Sequence, residues 1–111
     1  MIEWVIIALL TGAATGYFWD EIKAWALRFL DFIVDAIDRM AEVISDGIVY
    51  LIKRGHRYYK RVEVYVRNVS SGRSRLKYRE EEVVDEDIPA ESRAQLNERQ
   101  RKLAVLKVST R

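Results

Sequence analysis

The sequence predicts an α+β protein: apolar and amphipathic N-terminal helices, then a β-hairpin, a polar helix and a candidate third strand at the C-terminus. Three observations carry this expectation. Apolar residues between Ile22 and Ile44 recur at spacings of three and four. Residues 62–67 and 75–79 alternate in polarity on either side of a glycine-containing loop. The 111 residues are 50% hydrophobic and 32% charged, which suits one folded domain and argues against disorder.

Residues 1–19 form the first segment. Positions 4–19 carry no charge, with Trp4 at one end and Tyr17, Phe18 and Trp19 at the other. Sixteen helical residues would span about 24 Å, just short of the ~20 residues a bilayer crossing normally needs. The flanking aromatics resemble a membrane-interface belt, and Gly12 and Gly16 make a G-x-x-x-G spacing that lets helices approach closely. The expectation is a helix that inserts in a membrane or is buried in an assembly. Glu3 and the absence of Lys or Arg before the apolar run argue against a secretory signal.

Residues 20–54 read as one amphipathic helix. Ile22, Trp25, Phe29, Ile33, Ala36, Ile37, Met40 and Ile44 share one face, and Asp31, Asp35, Asp38, Glu42 and Asp46 share another. Asp20 is the expected N-cap, Gly47 a weak point and Gly55 the terminator. Such a helix needs cover from the first segment, from another copy or from lipid.

Residues 61–111 form the remaining unit. Val62, Val64 and Val66 alternate with Glu63, Tyr65 and Arg67, and Leu76 and Tyr78 alternate with basic residues. A three-residue loop Ser70-Ser71-Gly72 with Gly72 left-handed would pair Val66 with Leu76, Val64 with Tyr78 and Glu63 with Arg79. That register sets Arg67 against Arg75, an unfavourable like-charge pair. Asp87 and Pro89 predict the start of a polar helix over 88–102, and residues 104–108 could add a third strand.

Little in the chain points to catalysis or to a bound cofactor. There is no cysteine, and His56 is the one imidazole, with no evident nucleophile or orienting partner. The Asp31–Asp46 stripe lacks the glycine-containing loop of a calcium site, and no glycine-rich phosphate loop is present. The expectation is a non-enzyme with no metal and no cofactor.

The net charge of +2 conceals a segregation into blocks. Residues 1–52 carry 3 basic and 8 acidic side chains, and 53–79 carry 10 and 1. Residues 80–98 carry 1 and 8, and 99–111 carry 5 and none. Lys53, Arg54, Arg57, Lys60, Arg61, Arg67, Arg75 and Lys77 are the candidates for binding an anionic partner. Trp4, Gly12, Gly16, Tyr17 and Trp19 are the candidates for membrane or helix packing. The leading expectation is a small membrane-anchored interaction or assembly subunit, its C-terminal part cytoplasmic because cations dominate that side. The alternatives are a homo-oligomeric or larger soluble assembly, with acidic and basic blocks of neighbouring copies pairing head to tail, and a nucleic-acid-binding module using the basic hairpin.

Overall fold

A sheet, rather than a helical N-terminal half, organises the chain. The computed structural model describes residues 4–9, 17–36, 40–98 and 101–110. Its elements are β1 (Trp4–Leu9), α1 (Tyr17–Ala36), β2 (Ala41–Val43), β3 (Gly47–Arg54), β4 (Arg57–Asn68), β5 (Ser74–Val83), α2 (Ala90–Glu98) and β6 (Lys102–Thr110), with a 3-10 turn at Asp85–Asp87. All strand pairs are antiparallel, in the order β1-β6-β3-β4-β5. β2 occupies the same side of β4 as β3, further along, so six segments fill five strand positions.

Two helical expectations are corrected here. Residues 4–9 are not part of an apolar helix; they form strand β1, with Trp4 opposite Thr110 and Leu9 opposite Leu106. Among the described residues no helix is long and apolar enough to cross a membrane, which overturns the transmembrane helix and the membrane-anchored localisation built on it. The run Trp-Val-Ile-Ile-Ala-Leu is short, aromatic and β-branched, so periodicity alone could not separate strand from helix. Gly12 and Gly16 lie outside the described residues. The amphipathic helix also ends at Ala36 instead of continuing to residue 54. Val43, Ile44, Ile48, Val49 and Ile52 are β-branched and restrict χ1 in a helix, which favours the strands seen at 41–43 and 47–54. Asp20 falls in the first turn of α1, where its charge suits the helix dipole, and is not the N-cap.

Between β2 and β3 the ladder is interrupted. Residues 44–47 stand opposite only Val64 and Tyr65 of β4. The break is satisfied locally: the Tyr65 carbonyl accepts from the Ile44 N–H at 3.0 Å, and the Tyr65 N–H donates to Ser45 Oγ at 2.9 Å. Gly55 is not a helix terminator. It takes φ of 61° beside His56 in the two-residue turn joining β3 to β4, where a glycine in the first position matches the twist of the strands.

The β4–β5 hairpin forms as expected, but one residue out of register. Val62, Val64 and Val66 face Arg79, Lys77 and Arg75, and Glu63 faces Tyr78. Asn68 causes the shift. Its Oδ1 accepts from the N–H groups of Ser70 and Ser71 at 2.9 and 3.0 Å, and its N–H donates to the Arg73 carbonyl at 2.9 Å. This turn draws Val69 into the loop, which becomes four residues long. Gly72 keeps its expected left-handed geometry, with φ of 73°. The new register also sets Arg67 against Ser74, removing the like-charge pair.

One face of the sheet carries both helices. Trp19, Ile22, Trp25, Ala26, Phe29, Leu30 and Ile33 of α1 meet Val49, Leu51, Val62, Val64, Val66, Val105, Leu106 and Val108 in a single core, joined by Ile88 and by Leu96 of α2. The polar helix is shorter than expected, starting after Pro89, whose carbonyl accepts from the Arg93 N–H at 3.0 Å; Asp87 belongs to the preceding 3-10 turn. Residues 104–108 are extended as expected, within the longer β6, but β6 pairs with β1 and β3 and not with the hairpin strands β4 and β5. The other face of the sheet is open and displays Tyr50, Tyr59, Tyr65, Arg61 and Tyr78.

Candidate functional site

The register of the hairpin brings the basic and acidic blocks of the sequence together. β4 residues 59–61 face Glu82, Glu81 and Glu80 of β5. Arg61 donates to Glu63 at 2.5 Å and to Glu80 at 3.4 Å, and its guanidinium lies 3.9 Å from the ring centre of Tyr78. Arg54 donates both terminal nitrogens to Glu80, one at 3.0 Å. Arg57 reaches Glu82 at 3.5 Å, and Arg67 pairs with Glu42. Lys60 sits 4.7 Å from the ring centre of Trp25, whose indole N–H donates to Glu81 at 2.7 Å. Lys53 donates to Asn97, which also accepts from the Tyr58 hydroxyl at 2.9 Å.

These contacts disperse the proposed anion-binding group. Lys53, Arg54, Arg57, Lys60, Arg61 and Arg67 are each engaged within the chain, and they do not converge on one surface. Glu80 is the hub of the open-face network. The hydrogen bond from Arg54 holds its carboxyl below the usual carboxylate range, and burial opposes that shift only in part. A depressed carboxylate stabilises the fold above its unfolded pKa and ceases to do so as pH falls through its folded value. Wild-type protein should therefore melt above Glu80→Gln at neutral pH, with the gap closing below about pH 4. Thermal melts of both proteins across that range check it; a constant gap would show that the ionised carboxylate contributes nothing.

Arg75 and Lys77 behave differently. The one-residue shift places them on the helix-covered face of β5, directly across from Val66 and Val64. With Arg73 they border an open cleft of about 410 Å³ between the last turns of α1 and the hairpin tip. Phe32, Ile33, Ala36 and Val66 supply its apolar surface, and Phe32 is 57% exposed. Among the described residues, no carboxylate lines the cleft. Among the described residues, the side chains of Arg73, Arg75 and Lys77 have no ion-pair or hydrogen-bond partner there. The neighbouring Arg79 is occupied, stacking at 5.6 Å from the ring centre of Phe29 and 5.8 Å from that of Phe32.

Arg73 and Phe32 lie outside the candidate group. Their meeting depends on where α1 stops and on the hairpin register, neither of which has a strong local signal. The packing candidates also separate. Trp19 is in the core, with its ring edge-on to Phe18 at 5.0 Å. Tyr17 is exposed and donates its hydroxyl to Glu21 at 2.6 Å, so it anchors nothing apolar. His56 is exposed in the β3–β4 turn. Among the described residues, no group of three His, Asp or Glu side chains is placed to hold a metal. Comparison with protein-family models, with curated proteins and with solved structures finds no match.

Proposed function

We propose that this chain is a non-catalytic interaction or assembly module that docks an acidic, partly apolar protein segment in the cleft at the hairpin tip. The observation that carries the reading is the contrast among its cations. Within residues 53–79 the other seven cations are paired or stacked within the fold, whereas, among the described residues, Arg73, Arg75 and Lys77 have no ion-pair partner around the apolar surface of Phe32, Ile33 and Val66.

Free cations beside an exposed aromatic favour a ligand that carries both negative charge and a side chain to bury. Charge would set the encounter rate and register, and the apolar contact would add residence time. A nucleic acid fits less well. Its affinity grows with the number of phosphates neutralised along a continuous basic track. Here the track from Lys53 to Arg67 is spent on Glu42, Glu80, Glu82 and Asn97.

The test is fluorescence anisotropy with a labelled synthetic peptide that alternates Glu or Asp with Val. Binding should be saturable at low salt and weaken at about 0.3 M salt. Arg75→Gln with Lys77→Gln should weaken it about tenfold, and Arg57→Gln should leave it unchanged. Equal loss in both variants, or tighter binding of a single-stranded oligonucleotide than of the peptide, would overturn the reading.

A further inference from the structure

The molecule has a second pole. At the first turns of α1, Tyr17, Phe18 and Ile22 border another open recess with Glu82, Val84, Glu86 and Asp87. Val84 is 60% exposed, and the 3-10 turn that follows it consists of Asp85, Glu86 and Asp87. Among the described residues the carboxylates of Asp85, Glu86 and Asp87 have no cationic partner. This stretch is an exposed valine followed by three acids, which is the chemistry the basic cleft asks for.

The two poles cannot meet in one molecule. The recess is built on Tyr17 to Ile22 and the cleft on Phe32 to Ala36, at opposite ends of the same helix. About fifteen helical residues separate them, roughly 22 Å along the axis.

We propose that the segment docked in the basic cleft is residues 84–87 of a second copy. The proposal rests on the docking reading above and names its partner. Val84 of one copy would cover Phe32 and Val66 of the next, with Asp85, Glu86 and Asp87 against Arg73, Arg75 and Lys77. The surfaces joined are different, so the contact is heterologous and each added copy leaves one cleft and one acidic segment open. The product is a head-to-tail chain of copies, or a ring where the rotation closes.

Sedimentation velocity on the full chain tests this. At low salt the wild type should show a mass that rises with concentration beyond a dimer, and it should return to monomer at about 0.3 M salt. Arg75→Gln with Lys77→Gln disables the cleft, and Glu86→Gln with Asp87→Asn disables the segment. Each double variant alone should need about tenfold more protein to associate. Their equimolar mixture should form a one-to-one dimer that grows no further, because one intact cleft meets one intact segment. Val84→Ser, which leaves every charge in place, should weaken association as well. Circular dichroism confirms that the variants are folded. A wild type that remains monomeric at every concentration, or association that survives in both double variants, would overturn the proposal. If the monomeric wild type still binds the acidic peptide, the cleft reading stands and only the identity of the partner falls.

Discussion

Leu30→Ala should lower the stability of the protein by about 3 kcal/mol, the usual cost of emptying a buried leucine site whose walls cannot collapse. Leu30 is fully buried in the middle of α1, among the residues that press the helix onto the sheet. A domain of this size has only about 5–15 kcal/mol in reserve, so the urea midpoint should fall by a large fraction. Phe32→Ala, two residues along the same helix, should cost about 1 kcal/mol or less, because Phe32 is exposed at the cleft. Urea unfolding of both variants gives the comparison. Similar losses would mean that α1 is rotated from the orientation described.

The second large effect is expected at Val64. It is 1% exposed, facing α1, whereas the next residue, Tyr65, points to the open face and is 47% exposed. Val64→Asp would bury a carboxylate in the core beneath α1. Isolated charges are so costly there that the fold should lose more than about 4 kcal/mol or fail to form. Tyr65→Asp should shift stability by about 1 kcal/mol or less, since its side chain meets water. Expression yield and thermal melting distinguish the two. A tolerated Val64→Asp would reverse the facing of β4 and with it the placement of Arg75 and Lys77.

The sequence made some of this readable and concealed the rest, for physical reasons. The apolar face of α1 was clear because Ile22, Trp25, Phe29 and Ile33 keep a helical period and meet one continuous core. The same period persisted by coincidence into Ala36, Met40 and Ile44, where the chain leaves the helix; Met40 and Ile44 are exposed. Short runs such as residues 4–9 satisfy both patterns, and only the partner strand β6, far along the chain, selects the extended form. Gly72 announced the hairpin loop. The register depended instead on Asn68, whose side-chain oxygen closes a longer turn than the glycine alone suggests.

Charge was misleading in a related way. Lys60 and Arg61 stand about twenty positions from Glu81 and Glu80 in the chain, so the blocks look segregated. The hairpin folds one block against the other, so that Glu80 and Glu82 pair with Arg54, Arg57 and Arg61. Among the described residues of the 53–79 block, Arg73, Arg75 and Lys77 are left out of this pairing, at the tip where the acidic run no longer reaches. At the other pole, Asp85, Glu86 and Asp87 lie beyond the end of β5 and escape it in the same way.

Residue-resolved amide shifts during titration with the acidic peptide test the central claim most directly. The affected amides should cluster at residues 32–36, 66–68 and 71–77, around the cleft, while residues 53–61 stay unchanged. Shifts centred on residues 53–61, with the cleft silent, would contradict it.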